Sequence, residues 1–329
     1  MDAIIDWLME GDAALRWQTM RDLLDAPEPA SGFPKGKSVW QAERERTLET
    51  GWGAQLLAQQ APDGSWGGGI YTPKWTSTTY TLLLLCDLGI PPTNASGARA
   101  ARLALDRMLG ETCDAKFMQS LAVCDRCIVG MILQFTVYFG IEDQRIDALV
   151  ENLLDERMPD GGWNCRRARL PKPPHHSSFH TTLNVLEGLR EYLERPTALQ
   201  RSAVLAAEQG ALELLLAHHL FKSHQTGENI DLKKKFTLLA FPYRWHYNVL
   251  RGLEYFARAG SPRDSRLQDA IDLLQAQRLE DGRWPLQYKF SGKVFFDMEK
   301  VGKPSRWVTL RALRVLRWWE NTRSTSEGR

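Results

Sequence analysis

The chain has 329 residues, 43% of them hydrophobic, and 42 basic against 40 acidic residues, a formal net charge of +2. That length suits one large domain or two small ones, and so even a charge balance, without a basic stripe or stacking motif, excludes nucleic acid as the expected partner. Five cysteines, an odd number without small-scaffold spacing, exclude a disulfide framework and fit reduced thiols in a cytoplasmic protein.

In chain order, residues 2–9 form an acidic amphipathic helix without the order of a secretion signal. An apolar helix starts at Asp12. A polar helix at 49–60 leads into the turn "APDGSWGGG" and an apolar helix from Thr76. A polar helix at 97–109 precedes an apolar one from Asp125. The latter holds the longest apolar stretch, "CIVGMILQFTVYFG", which Gln134 interrupts and which is shorter than the roughly 20 residues of a membrane span. A helix at 143–156 ends in "MPDGGWN" and is followed by an apolar helix from Ser177. The segment 197–217 is paired with an apolar helix from Arg244. The last pair is 264–277, "LEDGRWP" and a helix from Ser305. The connection 221–247 lacks the Asp-Gly-x-Trp turn and is long. It is either a solvated insertion or a lid carrying Glu228, Asp231 and the Lys233–Lys235 run.

Six hairpins recur about every 50 to 65 residues, the signature of a repeat architecture. No segment alternates with period two for long enough to suggest a sheet. Hairpins that cannot each bury an apolar face will stack. Closed on themselves, they give an all-α (α/α)6 toroid of six inner and six outer helices. The rival is an open solenoid. Arg16-Trp17 near the start and Arg306-Trp307 near the end echo each other, as a ring with meeting ends requires. The expected organisation is one domain over 1–320 and a frayed tail over 321–329.

In such a ring the inner N-termini gather at one mouth, where free N–H groups and dipole ends favour anions or metals with acidic ligands. Residues at these starts are the candidate site: Trp17; Trp75; Asp125, Arg126 and Cys127; His180; Arg244, Trp245 and His246; Arg306 and Trp307. An aromatic pocket below, with Tyr80, Phe135 and Tyr138, suits an apolar ligand with one charged end. Asp125, Cys127 and His180 are a set that zinc accepts, with a fourth position open and Cys165 or His246 nearby. The alternative gives Asp125 a capping role and buries the thiols as small core residues.

The turns "QQAPDGSWG", "MPDGGWN" and "LEDGRWP" resemble those of squalene–hopene cyclases, other class II terpene cyclases and protein prenyltransferase β subunits. The resemblance covers about residues 49–318 and implies the same toroid. The Asp-x-Asp-Asp acid motif of the cyclases has no counterpart here. Asp125-Arg126-Cys127 and Phe179-His180-Thr181 resemble the zinc ligands of prenyltransferases, which implies zinc at Asp125, Cys127 and His180. A diphosphate clamp would then fall to Arg126, Arg244 or Arg306. The expected function is a stand-alone toroid that binds an isoprenoid-like apolar ligand, with catalytic candidates Asp125, Cys127, His180 and His246. Two alternatives stay open: a non-catalytic binding or scaffold protein, and a glycan-active enzyme that would need paired carboxylates, with Asp297 and Glu299 on the last loop.

Overall fold

A computed structural model describes residues 2–25, 38–165, 173–231 and 235–326. These fold into helices α1 (Asp2–Met9), α2 (Ala13–Asp22), α3 (Val39–Glu45), α4 (Gly51–Leu57), α5 (Thr78–Leu88), α6 (Ala95–Leu109) and α7 (Ala115–Val123). There follow α8 (Arg126–Tyr138), α9 (Arg145–Asp155), α10 (Phe179–Leu193), α11 (Arg201–Ala217), α12 (Val249–Arg258), α13 (Gln268–Ala276) and α14 (Arg306–Ser326). Among the described residues there are only isolated β-bridges and no strand. None of these helices is long and apolar enough to cross a membrane.

Helices α2, α5, α8, α10, α12 and α14 form the inner ring, and side-chain bonds trace its closure. The Trp17 indole donates to Leu88 O at the end of α5 (3.1 Å). Tyr138 OH of α8 donates to Ile90 O just beyond α5 (2.6 Å). Arg251 of α12 reaches Glu187 of α10, Arg311 of α14 reaches Glu254 of α12, and Arg314 of α14 returns to Gln18 of α2. Arg306 Nε also donates to Trp7 O (2.8 Å), joining the last hairpin to the first. The protein is therefore a closed all-α toroid, and the open solenoid is excluded.

Helices α8 and α10 approach most closely, and two glycines allow it. A Cβ on Gly130 would lie 2.5 Å from Asn184 O, and one on Gly188 would lie 2.4 Å from Gly130 O. The facing backbones leave no room for a methyl group.

The three Asp-Gly-x-Trp turns share one bonding scheme. Trp66, Trp163 and Trp284 are fully buried. Each indole N–H donates to the carbonyl ten residues earlier, at the end of an outer helix: Leu56, Leu153 and Leu274, at 2.7, 2.6 and 2.7 Å. Each Trp backbone N–H donates to a threonine hydroxyl on the next inner helix: Thr78, Thr182 and Thr309, all at 3.0 Å. Orphan carbonyls at one helix end are thus satisfied by the residue that positions the next helix. Ser178 and Asp12 cap α10 and α2 with their side chains, whereas Ser77 and Asp125 make no such side-chain bond.

Helices α3 and α7 have no counterpart in the sequence reading. The helix expected from Arg244 starts at Val249, because Asn248 caps it by accepting from Arg251 N–H (2.9 Å). The expected boundary at residue 320 falls within α14.

Candidate functional site at the mouth of the toroid

The inner N-termini converge beneath two loops that are tied together. Trp75 N–H donates to Lys293 O (2.7 Å), Lys293 N–H to Lys74 O (3.0 Å), and the Trp75 indole to Ser291 O (2.9 Å). A small cavity of about 40 Å³ beneath them is walled by Trp75, Phe241, Phe290, Phe295 and Phe296, with Arg244 at its side. Arg244 lies 5.7 Å from the Trp75 ring centre, and burial lowers its pKa to about 10.

The Lys74 ammonium stands among four aromatic rings. It is 5.2 Å from the centre of Tyr71, 5.4 Å from Trp245, 5.5 Å from Trp75 and 5.9 Å from Tyr80. Such distances define an aromatic cage for a cation. Burial holds the Lys74 pKa below its ordinary range, partly offset by the Cys127 side chain. The Tyr71 hydroxyl is pushed up to about 12 by burial, and burial raises Tyr80 as well.

Beside the cage lie two imidazoles. His180 Nδ1 accepts from Tyr247 N–H (2.7 Å), which assigns its proton to Nε2. Its ring meets Trp245 edge-on at 5.1 Å and Phe236 at 5.3 Å. His246 is stacked between Trp245 (3.9 Å) and Phe290 (3.6 Å). Its Nδ1 is buried and has no hydrogen-bond partner among the described residues. Burial lowers the pKa of His180 to about 4; burial, then the neighbouring His180, lowers His246 to about 3. Burial thus keeps both rings neutral at pH 7.

The thiols of Cys127 and Cys165 meet at 3.1 Å, and the Thr181 hydroxyl is 3.3 Å from Cys165. The hydrogen bond with Cys165, then burial, pushes the Cys127 thiol well above the usual thiol range. Cys165 is held below that range by the hydrogen bond with Cys127. Among the described residues no group of three His, Cys, Asp or Glu side chains is gathered to hold a metal. Asp125, Cys127 and His180, expected as a zinc set, are thus not assembled as one: Cys127 faces Cys165, and His180 spends Nδ1 on a backbone amide. Asp125 stands extended before α8 and acts electrostatically on Tyr71 and both thiols.

Several expected mouth residues lie elsewhere. Arg126 is fully buried on the outer side of α8. It donates to Leu121 O (3.1 Å), Ala122 O (2.8 Å) and the Asn152 side chain, so it ties α7 and α9 to the ring. Arg306 lies over Trp7 (4.5 Å) and donates to Trp7 O, so it closes the ring rather than clamping a ligand. Trp307 is core, stacked on Phe241 (4.7 Å). Trp17 faces the opposite end of the toroid, where its indole caps α5. Phe135 is also core, and Tyr138 reaches the opposite end. Glu299 accepts from Arg306 N–H (2.6 Å) and caps α14. In the connection 221–247, Phe236 packs beside His180 and Lys235 donates to Tyr288 OH (3.1 Å). Lys233 and Lys234 lie outside the described residues.

Lys74, Tyr71 and Phe290 were not singled out from the sequence, and no periodic signal marks them because they stand on loops. The doubled Trp75 and Trp245 offered the nearest hint, since rings of that size at a mouth invite a cation.

No protein-family model matches the chain, and no curated protein sequence matches it. Among solved structures, a type II terpene cyclase from Scytonema, in complex with geranylgeranyl dihydroxybenzoate, is similar to this chain over 98% of each chain. The identity is 14% and the TM-score 0.42.

Proposed function

We propose that the mouth binds an isoprenoid-like apolar small molecule and holds a positive, or positively developing, centre against its aromatic faces. The observation that carries this reading is the cage of Tyr71, Trp75, Tyr80 and Trp245 around a single point, marked by the Lys74 ammonium. Each cation–π contact contributes about 0.5–2 kcal/mol, more where water is excluded. The neighbouring Phe290, Phe295 and Phe296 supply apolar surface for a hydrocarbon chain. The reactive groups beside the cage are the Cys127–Cys165 thiols and the two neutral imidazoles.

Lys74→Ala empties the cage and keeps its rings. Calorimetry with dodecyltrimethylammonium, an alkyl chain with a quaternary cation, and with the neutral prenyl alcohol farnesol is the test. The variant is expected to bind the ammonium about tenfold more tightly than the parent, equivalent to about 1.4 kcal/mol. Trp245→Ala in the same background should remove most of that gain. Absence of saturable binding in every protein, or binding indifferent to Trp245, ends the proposal.

A purely binding role is the second reading, favoured by the lack of an Asp-x-Asp-Asp acid motif in the sequence. Incubation with an allylic diphosphate separates the readings, because turnover requires chemistry and a binding protein returns the compound intact. The glycan reading finds no support at this mouth, where Glu299 is a helix cap and Asp297 pairs with Lys289.

A further inference from the structure

We propose that the opposite end of the toroid is a second binding site, for a hydroxylated organic anion of metabolite size. A cavity of about 420 Å³ opens there, walled by residues of all six inner helices and by Arg44 of α3. That volume lies within the ordinary range for small-molecule pockets. Unlike the mouth, it is lined by charge, and a prenyl chain would have to strip water from ionised groups to enter.

The charges do not cancel. Every carboxylate on the wall has a guanidinium: Glu187 with Arg251 (2.5 Å), Glu191 with Arg258 (2.6 Å), Glu254 and Asp87 with Arg311 (2.9 and 3.3 Å), and Asp22 with Arg21 (2.5 Å) and Arg314. Arg44 is the exception. It donates to Gly89 O (2.7 Å) and to Tyr138 OH (2.9 Å) and lies 4.9 Å from the Trp17 ring centre, with no carboxylate partner among the described residues. Among the described residues six arginines therefore face five carboxylates, and the surplus is a cation. Burial further raises the pKa of Asp87 against the pull of Arg311, which weakens the acidic side of the balance.

Three buried polar atoms of wall residues also lack hydrogen-bond partners among the described residues: Nε of Arg311, Nε of Arg314 and Oε1 of Gln134. Arg311 and Gln134 are only 7% and 8% exposed. Buried donors and acceptors are normally satisfied, so these wall groups keep hydrogen-bonding capacity that a polar guest of the cavity can take up. An anionic oxygen suits Arg44 and the Arg311 N–H, and a hydroxyl donor suits Gln134. A hydroxylated carboxylate and a phosphate ester share this chemistry.

Calorimetry on the full chain with citrate, glycerol 3-phosphate, inorganic phosphate and neutral glycerol separates the sources. Saturable binding of citrate or glycerol 3-phosphate is expected, with glycerol inert. Arg44→Met should weaken it at least tenfold. Ala257→Phe, which narrows the rim without removing a charge, should abolish it even if the Arg44 variant folds poorly. Trp245→Ala, at the other mouth, should leave it unchanged. Binding of inorganic phosphate alone, of none of the anions, or binding insensitive to both cavity variants overturns the proposal.

Discussion

Thr182→Val tests the repeat at its joint. The Thr182 hydroxyl accepts from Trp163 N–H (3.0 Å) and donates to Trp163 O (3.2 Å), and the residue is fully buried. Valine keeps the shape and the β-branch, so no cavity opens. The backbone N–H of a buried tryptophan is left without an acceptor, at a cost of about 1–3 kcal/mol. Thr78→Val and Thr309→Val break the same bond to Trp66 and Trp284, at the same distance. Each is expected to cost a similar amount. The three sites are on different hairpins, so the effects should add to roughly 3–9 kcal/mol, comparable with a domain's whole stability. Urea unfolding followed by far-UV circular dichroism gives each value, with an unchanged slope showing that only stability moved. Single variants within about 0.5 kcal/mol of the parent would refute the view that this bond joins the hairpins.

His246→Phe should flatten the acid limb of the stability curve. The folded pKa of about 3 lies below the ordinary 6.5 of the unfolded chain. Below pH 6.5 unfolding therefore takes up a proton that the native ring refuses, and stability falls as pH drops towards 3, by up to about 1.4 kcal/mol per pH unit. Removing the imidazole removes that loss, and an unaltered profile of urea midpoint against pH counts against burial of the neutral ring. Cys127 and Cys165, already in contact, should form a disulfide on treatment with oxidised glutathione. Two thiols give up two protons and two electrons, glutathione disulfide becomes two thiols, and mass spectrometry finds the protein lighter by two hydrogens. Cys165→Ser should prevent the change and Cys124→Ser should not. Gly130→Ala should destabilise by about 1–3 kcal/mol, since the new methyl meets backbone atoms of α10 that cannot swing aside. A neutral outcome in thermal unfolding would show that the two helices separate readily.

The ring was legible because its joints are made of large, rare side chains. Trp66, Trp163 and Trp284 sit in glycine-rich turns at matching places in the hairpins, and each repeats the same pair of bonds. The mouth was legible only in part. Cys127, His180, Trp75, Trp245 and His246 do gather there, but Arg126 does not, because one step along a helix turns the side chain by about 100° and carries it from the inner to the outer face. Arg306 and Trp17 were misplaced for a related reason: a position near a helix start does not say towards which end its long side chain leans. The charged cavity left a trace that went unread. Glu187 and Glu191, Arg251, Glu254 and Arg258, and Arg311 and Arg314 are spaced at three or four residues on otherwise apolar helices. Such spacing puts charge on one stripe of a buried element, which only a polar interior tolerates.

The glycine contact between α8 and α10 gives the mouth one rigid jaw. Cys127 lies one turn before Gly130 and His180 two turns before Gly188, so thiol and imidazole inherit a spacing that the touching backbones do not let vary. Asn184 extends this jaw by donating to Trp245 O (2.8 Å). The facing jaw, with Lys74, Trp75 and Phe290, is tied by loop amides, the Trp75 indole and the stacking of Phe290 on His246. A guest of a different width would be accommodated by that side giving way, and selectivity for guest size could be retuned by shortening or stiffening the loop after Trp284 without disturbing the reactive groups opposite.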